Sequence, residues 1–352
     1  MKKKTAVVFG TFAPLHQGHI DLIQRAKRQC DQVWVVVSGY EGDRGEQVGL
    51  SLQKRFRYIR EAFRDDELTS VCKLDETNLP RYPMGWQEWL DQMLAEISYD
   101  ETQQELTFFV GEEEYQQELA KRGFGTVLQE RKFGISATMI RKNPSKYWKY
   151  IAQPFRRQFT KKVLIMGSAS NGKTTLAKDL ARYYDAPVSL EYAREYQIKN
   201  NVRDDELTPK DYYYLLLGQY DQTSKLIDSN ANRGLVIADT NSLVTKGYYD
   251  YYMETEDRED LSGETFDNLF ASILAKEKWD LILFVQPVGS YVNDGFRDMT
   301  MAEDHIRYSF SQHLDQMRER YLTTIPLVYL AEDYLGNYEV AKVAIDAIYQ
   351  AD

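Results

Sequence analysis

The sequence has little cysteine and no long apolar run, and both shortages narrow the class of protein. Its 352 residues include two cysteines, Cys30 and Cys72, whose spacing fits neither a metal site nor a redox motif. We therefore expect a reducing, cytoplasmic location without a disulfide framework. The longest apolar runs, at 164–166 and 281–285, have the length of buried strands, so we expect a protein that is not membrane-embedded.

An excess of positive charge is also missing. The formal net charge is −10, whereas duplex nucleic acid is bound through a basic surface. No helix-turn-helix pattern precedes the first apolar segment, and we expect no nucleic-acid partner. The basic segment 54–60 is local and fits either a solvated helix face or a rim that attracts phosphate. The N-terminal lysines precede an apolar segment that Gly10 ends too early for a signal peptide, so we predict a buried first strand there.

The sequence does contain a regular alternation of short apolar runs and amphipathic segments. The pattern predicts strands at 5–10, 32–38, 69–74 and 106–110, separated by helices at 18–30, 51–63 and 85–97. It starts again with a strand at 162–166, a loop at 167–174, a helix at 175–184 and strands at 188–190, 235–238, 281–285 and 327–330. Such alternation is typical of parallel sheets covered by helices. We therefore predict an α/β protein with two doubly wound parallel-sheet domains, 1–155 and 160–352.

A phosphate-binding loop opens the second predicted domain. Residues 167–174 read GSASNGKT and match the G-x-x-x-x-G-K-[ST] pattern between an apolar strand and a helix. Small residues let successive backbone N–H groups converge on an anion at the positive end of the helix. We expect Lys173 to reach the β- and γ-phosphates of ATP and Thr174 to offer its hydroxyl to Mg²⁺. The rest of the predicted ATP cradle comprises Gly167, Ser168, Asn171, Gly172 and Thr175.

Charged residues after neighbouring strands supply the remainder of this predicted site. Asp239 ends a strand and is the candidate metal-binding carboxylate, although it also suits a helix cap. Glu191 follows another strand, at the edge where open parallel sheets bind ligands. It could hold a sugar hydroxyl or remove its proton, although it also suits a surface charge at a helix start. Arg297 lies in a glycine-containing loop and could either close over the transferring phosphate or pair with Asp294 or Asp298. Tyr212 starts a run of three tyrosines that fits either a ring-binding pocket or the core.

The first predicted domain carries two histidines at a helix start. Residues 10–19 read GTFAPLHQGH, so that His16 and His19 lie three positions apart, directly after the first strand. At the positive end of a helix, both imidazoles can donate hydrogen bonds to a phosphate. A metal pair would need a third ligand, which the neighbouring sequence lacks, and a purely structural pair is the remaining alternative.

These segments resemble the nucleotidylyltransferase superfamily. The segment 10–19 is similar to its H-x-G-H signature, and 135–141, ISATMIR, is similar to its I-S-x-T-x-x-R signature. Ser136 and Thr138 stand at a predicted helix start, where their hydroxyls can bond phosphate oxygens, and Arg141 can clamp the same group one turn later. The resemblance implies a Rossmann-like domain whose ATP site also includes Gly10, Thr11, Phe12 and Gly18.

A nucleotidylyltransferase domain followed by a P-loop kinase domain resembles the bifunctional nicotinamide mononucleotide adenylyltransferase/ribosylnicotinamide kinase family, the NadR type. Family-like stretches at 82–89, 144–150, 191–195 and 293–297 extend the resemblance over nearly the whole chain. The chain departs from that pattern in two respects. It shows no DNA-binding helix-turn-helix, which argues against transcriptional repression, and Thr11 stands where some relatives carry lysine.

The resemblance implies two reactions in NAD biosynthesis. Their substrates would be nicotinamide riboside and nicotinamide mononucleotide, with ATP as the second substrate of both reactions and Mg²⁺ as the cofactor. Lys173, Asp239 and Arg297 would serve riboside phosphorylation, and either Asp239 or Glu191 would orient or deprotonate the hydroxyl. His16, His19 and Arg141 would stabilise the phosphorus centre during adenylyl transfer, with release of pyrophosphate. The expected substrate contacts are Trp86, Glu191 and Arg194. Trp86 would stack on the nicotinamide ring, although it also fits a core position.

Two alternatives stay open on the sequence. A fusion of pantetheine-phosphate adenylyltransferase with dephospho-coenzyme A kinase would show the same signatures in the same order. A nucleotide-sensing regulator would bind nucleotides without turnover. The sequence also leaves the oligomeric state open, including a homo-oligomer.

Overall fold

The computed structural model describes residues 2–81, 84–129, 133–253, 263–287, 291, 293 and 295–349. It divides the chain into two compact units, Met1–Phe159 and Thr160–Asp352. Tyr82, Pro83 and Asp294, which belong to family-like stretches of the sequence, lie outside the described residues. No helix in the described ranges combines the length and the apolar character that crossing a membrane requires.

The first unit is a five-stranded parallel sheet flanked by helices. Its strands are β1 (Lys3–Gly10), β2 (Gln32–Gly39), β3 (Thr69–Asp75), β4 (Gln104–Val110) and β5 (Gly125–Leu128). Its helices are α1 (Gln17–Lys27), α2 (Leu52–Ala62), α3 (Trp86–Glu96), α4 (Glu113–Lys121), α5 (Ala137–Lys142) and α6 (Gln153–Arg156). The strand order is β3-β2-β1-β4-β5. Strands are thus added first on one side of β1 and then on the other, which opens a ligand-binding crevice at the carboxyl ends of β1 and β4.

The second unit has a sheet of the same kind. Its strands are β6 (Lys161–Met166), β7 (Val188–Ser189), β8 (Leu235–Asp239), β9 (Leu281–Val285) and β10 (Leu327–Leu330). Its helices are α7 (Lys173–Tyr184), α8 (Tyr192–Asn200), α9 (Pro209–Asp228), α10 (Ser242–Tyr252), α11 (Gly263–Leu274), α12 (Asp304–Tyr321) and α13 (Tyr334–Tyr349). The strand order is β10-β9-β6-β8-β7, with every pair parallel. The cavity in this unit is lined by residues that follow β6, β7 and β8 at their carboxyl ends.

Burial explains why the central strands read as continuous apolar runs. In β2, Val33, Val35, Val36 and Val37 are all fully buried, as expected for a strand covered by helices on both faces. In the second unit, β8 and β9 are buried along their whole length. The α/β class with two parallel sheets is therefore confirmed.

The interpretation of the basic segment 54–60 as exposed is wrong for Arg55 on α2. The basic segment 54–60 fits a solvated face or a phosphate-attracting rim only in part, because Arg55 is completely buried. Its guanidinium bonds Asp43 at 2.5 Å within the first unit. A buried charge needs such a partner, and the sequence pattern alone did not identify one.

Candidate active sites

The first candidate site is a cavity of about 920 Å³ at the carboxyl end of β1. The predicted residues that line it are Gly10, Thr11, Phe12, His16, Gly18, His19, Trp86, Ser136 and Thr138. The signature after β1 and the signature at α5 are about 120 residues apart in sequence, and the fold brings them together around one space.

The two histidines form a stacked pair at the start of α1. His16 is the N-cap of α1, and its Nδ1 accepts a hydrogen bond from the Gly18 amide at 3.2 Å. The Nδ1 of His19 accepts from the His16 amide at 3.4 Å, and the two rings stack with centroids 3.7 Å apart. Because both Nδ1 atoms act as acceptors, the neutral rings carry their proton on Nε2. Both Nε2 groups are therefore suited to donate to a phosphate oxygen.

The metal-pair interpretation of these histidines gains no support. Among the described residues, no three His, Cys, Asp or Glu side chains gather closely enough to hold a metal ion. The structural role is real, since His16 caps α1, and it coexists with a position on the cavity wall.

Arg141 is held by both signature segments. Its Nη1 donates to the Ala13 carbonyl at 2.6 Å, and its Nη2 donates to Thr138 Oγ1 at 3.0 Å. Ser136 caps α5 by accepting from the Met139 amide at 3.2 Å. Burial, and secondly the positive charge of Arg44, lower the pKa of Arg141. The guanidinium nevertheless remains charged at neutral pH, because arginine starts from so high a value.

Trp86 is mostly a core residue. Its exposed fraction is 8%, and its ring packs edge to face against Trp89 at 5.3 Å and Tyr115 at 5.6 Å. Trp89 and Tyr115 also line the cavity, as does Arg44, and none of the three was predicted. Trp89 lies in the family-like stretch 82–89, so the aromatic residues of that stretch could have indicated it as a site residue. Tyr115 and Arg44 carry no such signal.

The second candidate site is a cavity of about 320 Å³ around the phosphate-binding loop. Gly167 has φ 142° and a Cβ there would lie 2.4 Å from the Val285 carbonyl oxygen, so this turn requires glycine. Gly172 is the left-handed N-cap of α7, which makes α7 start at Lys173, two residues before the predicted start. Asn171 Nδ2 donates to Ser168 Oγ at 2.9 Å, and Lys173 Nζ donates to the Ser168 carbonyl at 2.7 Å.

Asp239 has the environment of a metal-binding carboxylate. It ends β8, is 1% exposed, and accepts a short hydrogen bond from Thr174 Oγ1 through Oδ2. Its Oδ1 is buried without a hydrogen-bond partner among the described residues. Burial raises its pKa, while Lys173 and the Thr174 hydroxyl act in the opposite direction. A carboxylate oxygen left without a partner beside the P-loop hydroxyl fits the oxygen-rich coordination that Mg²⁺ prefers.

Glu191 lines the cavity around the phosphate-binding loop. It occupies the N-cap position of α8 without making a side-chain cap, and the residue is half-buried rather than exposed. Burial raises the pKa of its carboxyl group; Lys173 lowers that pKa and Asp239 raises it. A carboxylate with a raised pKa is a better proton acceptor than an ordinary glutamate at neutral pH.

Arg297 and Arg194 complete the charged lining. Arg297 Nη1 donates to Ser170 Oγ of the phosphate loop at 2.7 Å, so the loop carrying Arg297 reaches the cradle. The Arg194 guanidinium lies 5.8 Å from the centre of the Phe296 ring. The cavity lining includes both arginines together with Glu191, Lys173, Thr174 and Thr175.

Several residues of this cavity were missed or left open. Tyr212 lines it and is 1% exposed, so this tyrosine is both a core and a cavity residue. Tyr248 and Tyr252 on α10 line it as near-parallel rings 6.4 Å apart. Asp204 also lines it and accepts a bond from Gln197 at 2.6 Å. Burial raises the pKa of Asp204.

Comparison with known proteins defines the class first. A cytidylyltransferase-like family model matches residues 7–143, and an AAA domain model matches residues 162–328. Together with the two sheets and the two phosphate-binding signatures, these matches define a two-domain enzyme with a nucleotidyltransferase domain and a P-loop kinase-like domain.

Similarity over almost the whole chain then identifies the family. The trifunctional NAD biosynthesis/regulator protein NadR of Salmonella typhimurium is 31% identical over 352 residues, which cover 96% of this chain and 81% of NadR. The crystal structure of a NadR protein in complex with NR has a TM-score of 0.88 at 40% identity, covering 99% of this chain and 96% of that one. A NadR protein in complex with NAD and AMP-PNP gives 0.85 at 40% identity, covering 99% and 97%. The chain belongs to the NadR family, which confirms the resemblance seen in the sequence.

Proposed function

We propose that this chain is a bifunctional enzyme of NAD biosynthesis. The second unit phosphorylates nicotinamide riboside (NR) to nicotinamide mononucleotide, and the first unit adenylylates the mononucleotide to NAD. The observation that carries the proposal is the presence of two cavities, each lined by residues of a phosphate-binding signature. The chain is also similar over nearly its whole length to NadR proteins in complex with NR and with NAD and AMP-PNP.

In the kinase reaction, the 5′-hydroxyl of the riboside attacks the γ-phosphorus of ATP and ADP leaves. Glu191 accepts the hydroxyl proton, since Asp239 is already bonded to Thr174. Lys173 and Arg297 stabilise the charge on the transferring group. Thr174 and Asp239 would hold Mg²⁺, which when bound neutralises phosphate oxygens. We therefore propose Glu191, rather than Asp239, as the proton acceptor.

In the adenylyl transfer, a phosphate oxygen of the mononucleotide attacks the α-phosphorus of ATP and pyrophosphate leaves. The attacking oxygen is already anionic, so no protein base is needed. The Nε2 groups of His16 and His19 and the Arg141 guanidinium donate to the oxygens of the crowded phosphorus centre, where preorganised donors are most effective. The backbone around Gly10 and Gly18 and the hydroxyls of Thr11, Ser136 and Thr138 are proposed to hold the phosphates. The cavity-facing edge of Trp86 and the Phe12 ring are proposed to border the nucleotide.

Product analysis tests this function directly. Purified protein incubated with NR and Mg-ATP is expected to form the mononucleotide first and NAD second, resolved by chromatography over time. His19→Ala is expected to stop NAD formation while still forming the mononucleotide from NR. Lys173→Ala is expected to stop formation of the mononucleotide from NR while still forming NAD when the mononucleotide is supplied. If either variant, still folded, lost both activities, the two-site proposal would be wrong.

The same assay separates the alternatives. A coenzyme A fusion would phosphorylate dephospho-coenzyme A in place of NR, and a sensor would bind ATP without forming either product. The cytoplasmic location, the lack of a nucleic-acid partner and a homo-oligomeric state stay predictions.

A further inference from the structure

Arg44 places a positive charge at the first cavity from an element outside both signatures. It lies in the turn after β2, and its Nη2 donates to Thr11 Oγ1 at 2.9 Å. Thr11 belongs to the loop 10–19, which contains neither lysine nor arginine. Arg44 and Thr11 both line the cavity that His16 and His19 line. The turn after β2 therefore supplies the cation that the loop after β1 lacks.

A buried ion pair fixes the position of this turn. Arg55 on α2 is fully buried and bonds Asp43, which is 2% exposed, at 2.5 Å. The same guanidinium donates to the Thr11 carbonyl at 2.6 Å and to the Ser38 carbonyl at 3.1 Å. One side chain thus ties the end of β2, the turn and the loop after β1 together.

The turn itself has little freedom. Asp43 Oδ1 accepts from the Gly45 amide at 2.7 Å and from the Glu46 amide at 3.0 Å. A Cβ on Gly45 would lie 2.7 Å from the Leu50 carbonyl oxygen, so the backbone on the far side of Arg44 packs too closely for any side chain. Arg44 is consequently an exposed side chain on a backbone held from both neighbours, as a preorganised ligand contact requires.

Arg44 and Arg141 hold the loop after β1 from two directions. Arg44 bonds the Thr11 hydroxyl and Arg141 bonds the Ala13 carbonyl. They are close enough for the charge of Arg44 to lower the pKa of Arg141. The two like charges repel each other, and an anion bound near them is attracted to both and offsets that repulsion. Arg44, His16 and His19 all line the cavity, and a polyphosphate, which carries several anionic groups, suits such a lining.

We propose that Arg44 binds the phosphate chain of ATP in the adenylyltransferase site, with Asp43 and Arg55 as the residues that position it. The proposal rests on the proposed function of the first unit and adds a residue to it. Arginine suits this role because its planar fork makes charge-assisted, bidentate bonds to phosphate oxygens.

Steady-state kinetics of Arg44→Ala and Arg44→Lys test the inference. The KM for ATP in adenylyl transfer is expected to rise about 10-fold to 100-fold in Arg44→Ala, the range for losing a hydrogen bond to a charged group. Arg44→Lys, which keeps the charge but loses the fork, is expected to lie between Arg44→Ala and the parent. The KM for the mononucleotide and the riboside kinase activity of the same preparation are expected to stay unchanged. Arg64→Ala is the matched control, because Arg64 is an exposed arginine of the same unit that pairs only with Asp65 in the described structure and does not line the cavity.

The parent protein and the Arg44 variants distinguish failure of the proposed function from failure of the Arg44 proposal. If the parent protein formed no NAD from the mononucleotide and ATP, the proposed adenylyltransferase function would be wrong, whatever the Arg44 variants showed. If the parent were active and Arg44→Ala left the KM for ATP unchanged, or raised only the KM for the mononucleotide, the role of Arg44 would be refuted.

The positioning role is tested by Asp43→Asn, which keeps the shape of the side chain. This change is expected to raise the KM for ATP in the parent background and to add nothing further in the Arg44→Ala background, since Asp43 acts through Arg44. Thermal unfolding of each variant shows whether the unit remains folded. Equal effects of Asp43→Asn in both backgrounds would contradict a positioning role.

Discussion

Replacing Glu191 by glutamine isolates the proton acceptor proposed for the kinase reaction. The glutamine keeps the size of the side chain, and no capping bond is lost because Glu191 makes none to α8. General-base catalysis contributes about 10²- to 10⁴-fold to a rate. We therefore expect the kcat for riboside phosphorylation to fall by that factor, equivalent to roughly 3–5 kcal/mol of barrier.

The pH profile gives an independent check on the same residue. Burial raises the pKa of Glu191 above its usual 4.5, so the base becomes protonated as the pH falls through a value higher than that. The kcat/KM of the parent is expected to decline on the acid side at a pH above the ordinary glutamate range, and Glu191→Gln is expected to lose this limb.

Stability should change in the opposite direction to activity. A carboxyl group whose pKa is higher in the folded than in the unfolded state favours folding when protonated and disfavours it once the pH exceeds the folded pKa. Glu191→Gln removes that penalty, so its unfolding temperature near pH 7 is expected to equal or exceed that of the parent. Glu195→Gln, an exposed change in the same helix, is the matched control for both measurements. Full kinase activity in Glu191→Gln would refute the assignment and return the base role to Asp239.

Three further changes test the phosphate cradle and its surroundings. Gly167→Ala places a Cβ 2.4 Å from the Val285 carbonyl oxygen at φ 142°. It is expected to abolish ATP binding at the kinase site, measured by titration with a non-hydrolysable analogue, while adenylyl transfer persists. Unaltered binding would mean that this turn does not bind the phosphates. Asp239→Asn is expected to weaken the Mg²⁺ dependence of ADP binding, seen as a smaller thermal shift on adding Mg²⁺, and an unchanged shift would place the metal elsewhere. Arg297→Ala is expected to lower the kinase kcat at least tenfold with little change in the KM for NR, and the reverse pattern would make Arg297 a substrate-binding residue.

The two signatures could be predicted because their physics is local. A phosphate cradle needs small residues at fixed spacing, and a histidine pair three residues apart needs only the start of one helix. The alternation of apolar runs likewise revealed nine of the ten strands in the described part of the chain. The missing strand, β5, has one exposed and three partly buried residues, so it carries no fully buried run that could be recognised.

The remaining parts of the sites depend on contacts between distant segments. Asp43 and Arg55 are twelve residues apart and form one buried pair only because α2 packs beside the end of β2. Arg44 is therefore invisible as a site residue in the sequence, where it reads as one charge in a polar turn. Tyr248 and Tyr252 could be seen as aromatic residues, but only the packing of α10 places them on the cavity wall. Trp86 fitted either a ligand contact or the core on the sequence, and in the structure it is 8% exposed and also lines the cavity.

The central claim is that each chain holds two independent nucleotide sites, and a binding titration with AMP-PNP and Mg²⁺ tests it most directly. We predict two molecules bound per parent chain, and one per chain in both Lys173→Ala and His19→Ala. A stoichiometry of one in the parent, or the loss of all binding in either folded variant, would contradict the account.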